Sequence, residues 1–200
     1  LVTGGCGFIG AHTIVDLLEN GFNVISIDNL SRASDASLLG IEKITGKKIT
    51  NYTVDLTDKA ATEAVFIANP DIAGIIHFAA YKAVGESTEK PLDYFENNIG
   101  STASLLGAMS ELGVSNLVFS SSCTVYGQPE ESPVDELAPI LPAESPYGYT
   151  KQACERLITD SFNSSMSLSA CLLRYFNPIG AHQSAAIGEL PIGHPNHLIP

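Results

Sequence analysis

Basic residues are scarce in this chain: ten lysines and arginines stand against 22 aspartates and glutamates among 200 residues, for a formal charge of −12 and a pI near 4.6. Such a surface offers no positive stripe to nucleic-acid phosphates or to an anionic membrane, and both are excluded as natural partners. An anionic substrate would need a few local positive groups. Cysteine is also sparse. Cys6, Cys123, Cys154 and Cys171 have neither metal-ligand spacing nor the density of a disulfide scaffold, which points to a reducing cytosol and to no bound metal. No apolar run approaches the ~18 residues that a membrane helix requires. No charged-then-apolar leader is present. The chain opens at Leu1 without a methionine and closes on a proline-rich stretch, and the expectation is that both ends have been cut.

What is there suits a folded chain with a substantial core. With 44% hydrophobic residues and a mean hydropathy of +0.15, the chain has material for one compact α/β domain and the beginning of another. Leu1-Val2-Thr3 reads as the end of a buried strand that runs into Gly4-Gly5-Cys6-Gly7-Phe8-Ile9-Gly10. Gly4, Gly7 and Gly10 allow a tight turn, close approach of backbone to a pyrophosphate, and close helix-to-strand packing. Ile14, Leu17 and Leu18 continue at helical spacing until Gly21. The strand from Asn23 to Ile27 ends in Asp28, whose carboxylate is placed to bind the adenosine ribose hydroxyls and to repel a 2′-phosphate, favouring NAD over NADP. Arg32 complicates that choice, because an arginine also welcomes a 2′-phosphate.

Further along, residues 36 to 44 read as a helix and Ile49 to Val54 as a strand ending in Asp55-Leu56. Asp55 could bond an adenine amino group or cap the following helix at Thr57-Asp58. The apolar run Ile72 to Phe78 is a central parallel strand, with His77 a satisfied core residue. Phe78-Ala79-Ala80-Tyr81-Lys82 lies at its carboxyl end, where open α/β sheets bind ligands, so Lys82 is a candidate for cofactor contacts or is simply solvated. Ile99, Thr102, Leu105, Leu106, Met109 and Leu112 form a core stripe, with Asn97 and Asn98 one turn before it, for a ligand or for tying down a loop. Asn116 to Ser120 is a fifth strand, followed by a serine cluster that either caps backbone or presents Ser122 to a substrate. Leu168 to Tyr175 is a sixth, and from Asn177 onward prolines and glycines mark an irregular segment leaving the sheet. The fold class is α/β: a doubly wound parallel sheet in order 3-2-1-4-5-6.

The chemistry lies in Ser145-Pro146-Tyr147-Gly148-Tyr149-Thr150-Lys151. A helix over residues 146 to 162 places Tyr147 and Lys151 one turn apart on one face, and buries Cys154, Leu157, Ile158 and Phe162. A free tyrosine titrates near ~10, and lowering it by about three units requires roughly 4 kcal/mol of preference for the phenolate. An ammonium about 6 Å away at an effective dielectric of ~20 supplies roughly 2.8 kcal/mol. A second positive charge would complete the shift, and the oxidised nicotinamide ring is a cation. The same spacing also arises by chance on helix surfaces, so it gains meaning only beside the glycine turn.

Taken together, these residues resemble the extended short-chain dehydrogenase/reductases, Rossmann-type NAD-binding enzymes, and among them the UDP-sugar 4-epimerases. The resemblance rests on Thr3-Gly4-Gly5-Cys6-Gly7-Phe8-Ile9-Gly10, Asp28-Asn29-Leu30, Lys82-Ala83-Val84-Gly85-Glu86-Ser87, Ser120 to Gly127, Tyr147 to Lys151, and Arg174 to His182 with Gly188-Glu189. It implies tightly bound NAD, oxidation of the sugar at C4, turnover of the 4-keto sugar in the pocket, and return of the hydride to the other face, interconverting UDP-galactose and UDP-glucose. Tyr147 would be the base, Lys151 would lower its pKa and hold the nicotinamide ribose, and Ser122 would share the hydrogen bond to O4. Phe8, Ile9, Asp28, Asn29, Asp55, Leu56, Phe78, Ala79, Lys82, Asn97 and Phe176 would line the cofactor. Asn177, Asn196 and His197 would hold the uridine diphosphate, with Lys82 beside the sugar. The resemblance further suggests a homodimer, an NAD-binding domain over 1–176, and the start of a substrate domain over 177–200.

Some positions depart from that pattern: Arg32 and His197 stand where asparagine is usual, Cys123 replaces alanine, Gln183 proline, and Leu190 an acid. A related 4,6-dehydratase would carry an Asp-Glu pair where this chain has Cys123-Thr124. A non-catalytic NAD-binding sensor of the same fold would not need Ser122, Tyr147 and Lys151 intact.

Overall fold

The computed structural model describes residues 1–164 and 167–190. Six parallel strands, β1 (Val2–Thr3), β2 (Ile25–Ile27), β3 (Thr50–Tyr52), β4 (Ile75–His77), β5 (Asn116–Ser122) and β6 (Ser169–Tyr175), form one sheet in the order β3-β2-β1-β4-β5-β6, as expected. The order reverses beside β1, and at that switch the carboxyl ends of β1 and β4 part to leave a crevice. Thr3 pairs with Ile27 on one side and with His77 on the other, bringing the glycine turn, Asp28 and Phe78 to one edge.

Helices cover both faces. α1 (Phe8–Glu19) and α2 (Ala36–Thr45) bury Ile14, Val15, Leu18 and Ile41 against Val2 and Val24. α3 (Lys59–Ala68), α6 (Gly100–Leu112) and α7 (Pro146–Phe162) enclose the opposite face around Val65, Phe66, Leu105, Met109, Phe119 and Ile158. Strand alternation divides the two cores, Ile75 facing one and Ile76 the other. Local signals set the boundaries. Asp58 caps α3 through Ala61 N at 3.0 Å, and Ser145 caps α7 through Gly148 N at 3.1 Å, with Pro146 in the first turn.

Two expectations are corrected, the burial of two stripe ends and the path of the segment after β6. Leu112 and Phe162 are 42% and 56% exposed rather than core, since each falls in the last turn of its helix, beyond the sheet it packs on. Asn97 and Asn98 lie just ahead of α6, as expected, inside continuous helix: α4 (Val84–Glu89) is followed by α5 (Pro91–Tyr94), which runs through a π-helical turn (Phe95–Ile99) into α6. The segment after β6 leaves the sheet but returns to it. Ile187 is buried among the α1 and α2 residues, and Ala186 lies so close to Gly40 that a side chain at Gly40 would strike its carbonyl oxygen. Residues 176–190 thus cross the carboxyl edge of the sheet from β6 to α2.

Candidate functional site

The glycine turn is built for close approach. Gly4 has φ +68°, and a Cβ there would lie 2.8 Å from Ala79 N; one on Gly10 would collide with the Gly4 carbonyl oxygen and lie 2.8 Å from Gly5 Cα. Gly7 is the N-cap of α1, with no side-chain cap and no acid in the first turn, so the amides at Phe8 and Ile9 meet no competing carboxylate of their own helix. Asp28 closes the crevice: its Oδ2 accepts from Cys6 N at 3.0 Å and its Oδ1 from Leu30 N at 2.9 Å. Asn29 donates to Asp55 Oδ2 at 3.0 Å, and Asp55 Oδ1 accepts Thr57 N at 2.9 Å and Thr57 Oγ1 at 2.7 Å. Burial works to raise the Asp55 pKa, but the bonds from Thr57 and Asn29 outweigh it and hold the carboxyl below its ordinary value. The Asp55 carboxylate therefore orders the turn ahead of α3, while Asp58 is the cap. The Leu56 side chain is in the core, leaving only its backbone toward the crevice. This donor set, a bare helix N-terminus between a carboxylate and a turn with no room for side chains, fits a dinucleotide.

Arg32 is engaged by an acid and an aromatic ring. Its Nη2 donates to Glu86 Oε1 at 2.9 Å and its guanidinium lies 4.5 Å above the Tyr81 ring. Glu86 Oε2 in turn accepts from Tyr94 OH at 2.9 Å, and the buried Tyr94 ring meets Tyr147 edge-on at 6.5 Å. Lys82 is paired with Glu189 at 2.9 Å, tying the loop after β4 to the crossing segment.

Ser122, Tyr147 and Lys151 come together at the same edge. Ser122 Oγ accepts from Thr124 N at 3.2 Å and from Thr124 Oγ1 at 3.0 Å, so its own proton is not used in either bond. Tyr147 is 8% exposed; burial raises its pKa, and the Ser122 bond, which favours the phenolate, pulls the other way without cancelling it. Lys151 Nζ lies 6.0 Å from the Tyr147 ring centre and 4.9 Å from that of Phe119, and donates to the Ser120 carbonyl at 2.7 Å. Burial pushes Lys151 down to about 8, against the raising influence of Cys154 and Glu155. Protein groups alone leave the phenol raised, because burial of the phenolate outweighs the lowering influence of Ser122.

Behind this edge runs a buried polar chain. Thr3 Oγ1 and Thr102 Oγ1 bracket His77, at 2.6 Å from Nδ1 and 3.2 Å from Nε2, confirming a satisfied core histidine. Asn98 accepts from Tyr81 N at 2.8 Å and donates to Tyr81 O and Thr150 Oγ1, each at 3.0 Å; Thr150 bonds the Tyr147 carbonyl at 2.7 Å. Asn98 thus ties the loop after β4 to α7, whereas Asn97 donates to Asn98 Oδ1 at 2.9 Å and is half-buried. Phe176 and Asn177 are exposed on the crossing segment, and Asn196 and His197 lie outside the described residues.

A sequence model of the NAD dependent epimerase/dehydratase family matches residues 1–199. The chain belongs to that family. It is 50% identical over 200 residues to the UDP-glucose 4-epimerase of Bacillus subtilis and 49% identical over 204 residues to UDP-glucose 4-epimerase uge1 of Schizosaccharomyces pombe, covering all of this chain but 58% and 57% of those proteins. The structure of UDP-glucose 4-epimerase from Bifidobacterium longum in complex with NAD+ and UDP superposes with a TM-score of 0.95 at 46% identity, over 98% of this chain and 58% of that one. The enzyme from Stenotrophomonas maltophila with bound NAD and formylated UDP-arabinopyranose gives 0.94 at 44% identity, with the same coverage. The chain therefore spans a little under three-fifths of these epimerase/dehydratase relatives.

Sequence reasoning passed over Thr124, Tyr94, Glu155 and Arg174. Thr124 was legible as the residue two beyond Ser122, a short hydroxyl-on-hydroxyl turn. The other three act through partners distant in sequence.

Proposed function

We propose that the full-length protein is a UDP-glucose 4-epimerase, interconverting UDP-galactose and UDP-glucose with tightly retained NAD in a reducing cytosol. The observation that carries this reading is the gathering of Ser122, Tyr147 and Lys151 at one edge, with the Lys151 ammonium 6.0 Å from the Tyr147 ring centre and an uncapped glycine turn beside it, in a chain of this family.

Gly4, Gly7 and Gly10, with the amides at Phe8 and Ile9, would hold the pyrophosphate; Asp28 and Asn29 the adenosine ribose; Asp55 and the Leu56 backbone the adenine. Phe78, Ala79, Lys82, Asn97 and Phe176 would flank the nicotinamide half, and Arg32, held by Glu86, leaves Asp28 to select NAD over NADP. When bound, NAD supplies a hydride acceptor for sugar C4 and the positive charge that the buried phenol lacks. Tyr147 takes the proton from the 4-hydroxyl, Ser122 orients that oxygen, and Lys151 holds a ribose hydroxyl while favouring the phenolate. Burial of Tyr147 keeps water from the proton it holds. Asn177, Asn196 and His197 would grip the uridine diphosphate, with residues 1–176 the cofactor domain and 177–200 the start of the substrate domain. A homodimer is part of this reading: the outer face of α6 and α7 forms a groove lined by Ala103, Leu106, Gly107 and Ser110, small enough for a second copy's helices to approach closely.

The test is conversion of UDP-galactose to UDP-glucose by the full-length protein with no added acceptor, identifying the bound nucleotide afterwards. Turnover with retained NAD and no net reduction is expected, and Tyr147→Phe should keep NAD while losing at least about 10²-fold in kcat. No turnover by the parent protein, or near-normal turnover in Tyr147→Phe, would overturn the assignment.

A further inference from the structure

Glu155 is a buried carboxylate that the proposed mechanism leaves without a role. It lies one turn beyond Lys151 on α7 and is 5% exposed. All its near partners are on other elements. Oε1 accepts from Ser121 Oγ at 2.5 Å and from Arg174 Nε at 2.9 Å, and Oε2 accepts from Arg174 Nη2 at 2.8 Å. The arginine comes from β6, pairs bidentately, and lies 4.9 Å above the Tyr126 ring. Strand register places this pair beside the catalytic edge, because Ser121 lies opposite Arg174 and Ser122 opposite Tyr175.

In a helix, residues four apart are neighbours, and a lysine and a glutamate so placed attract one another. Here they do not pair: the Lys151 ammonium goes to the Ser120 carbonyl and the Glu155 carboxylate to Arg174 and Ser121. We infer that Glu155 and Arg174 are positioning residues of the catalytic edge, Arg174 saturating the carboxylate so that the Lys151 ammonium stays on the Tyr147 side of α7. Without the guanidinium, Glu155 would be a buried anion one turn from the only lysine on that face, and the ammonium would move toward it and away from Tyr147.

The groups bearing on this edge come from every element packed around it: Tyr147, Lys151, Cys154 and Glu155 on α7, His77 on β4, Tyr94 on α5, Cys123 after β5, and Arg174 on β6. Of these, only Glu155 and Arg174 form a compensated pair of full charges, and removing either member leaves the opposite charge beside Lys151. The two removals therefore act on the phenol with opposite sign, an outcome that a purely structural role does not produce.

The inference rests on the proposed reaction only for its kinetic consequence, so the deciding readout is titration of the phenol itself. The ultraviolet phenolate absorbance of the full-length protein is followed against pH in the parent, Arg174→Met, Glu155→Gln and the double variant, each minus its Tyr147→Phe counterpart. Arg174→Met should raise the Tyr147 midpoint by about one pH unit, Glu155→Gln should lower it, and the double variant should return it near the parent value. In the epimerase assay the acid limb should move in step, with the double variant recovering at least about tenfold of the kcat lost in Arg174→Met. Arg174→Lys should restore most of the parent midpoint. If Arg174→Met does not fold, Glu155→Gln against the double variant carries the comparison. Midpoints that move in the same direction, or not at all, would overturn the inference even where both variants lose thermal stability. A parent protein that turns over no UDP-galactose yet shows the opposed midpoints would overturn the proposed reaction alone.

Discussion

Gly7 and Gly10 stand three residues apart in one turn, yet the structure separates what each contributes, and two alanine substitutions should reveal it. A methyl at Gly10 would strike the Gly4 carbonyl oxygen and sit 2.8 Å from Gly5 Cα, both backbone atoms of the turn and neither free to swing aside. α1 would have to lift away from β1 while Ile14, Val15 and Leu18 anchor it in the core. Overpacking of this kind costs about 1–3 kcal/mol or more. Replacing a helical glycine by alanine returns ~1 kcal/mol. With two backbone clashes the cost falls at the upper end of that range, and the net expectation for Gly10→Ala is a loss of about 2 kcal/mol or more, together with failure to retain dinucleotide because the amide cradle is displaced. At Gly7, φ is −75° and an added Cβ would meet only the Gly4 carbonyl oxygen at 3.3 Å, so the fold accommodates the methyl with a slight adjustment. That methyl would nonetheless stand where a pyrophosphate approaches the helix. Gly7→Ala should keep the parent's stability within ~0.5 kcal/mol and lose at least about tenfold in NAD affinity, equivalent to ~1.4 kcal/mol. Urea unfolding of the NAD-stripped proteins and titration of NAD by fluorescence separate the two effects. A Gly10→Ala protein as stable as Gly7→Ala would refute the steric reasoning, and a Gly7→Ala protein with parent NAD affinity would refute the placement of the pyrophosphate.

Two further outcomes follow from buried or engaged charges. Glu86→Gln releases Arg32 at the adenosine end, so NADP affinity should rise about tenfold relative to NAD, while the melting temperature barely moves because an exposed ion pair contributes only ~0–1 kcal/mol; an unchanged NADP to NAD ratio would show that Arg32 does not reach the 2′-position. His77 is pushed down to about 3 by burial, with Lys151 contributing, so the unfolded chain binds a proton that the folded chain refuses between pH 6.5 and about 3. Stability contributed by neutral His77 is complete above pH 6.5 and is lost as pH falls through that window, at about 1.4 kcal/mol per unit. Urea unfolding at pH 6.5 and 4.5 should differ by at least ~2 kcal/mol, and His77→Gln should flatten that slope; an equally steep slope in the variant would assign the acid loss to carboxylates instead.

Much of the molecule is carried by short-range signals. Apolar runs of strand length, helical stripes, and caps such as Ser145-Pro146 and Asp58 act within a few residues of themselves, and the right-handed crossover rule then leaves the order β3-β2-β1-β4-β5-β6. Tyr147 and Lys151 were legible for the same reason, since one helical turn joins them, and the glycine turn with Asp28 is a local pattern with a physical mechanism. The errors lie where a local rule met a distant boundary. Leu112 and Phe162 continue their stripes correctly but run past the edge of the sheet.

What no pattern in the chain announces is which charge meets which. Arg32 and Glu86 are 54 residues apart and Glu155 and Arg174 are 19 apart, and each pair exists only because a crossover brings two loops or a helix and a strand to one edge. The phenol's proton affinity belongs to the same category. Sequence spacing sets the Tyr147-to-Lys151 distance, but desolvation is set by everything packed around it, and here burial raises Tyr147 and lowers Lys151. Residue identity and local geometry are written along the chain; dielectric environment and partner choice arise only when the sheet closes over them.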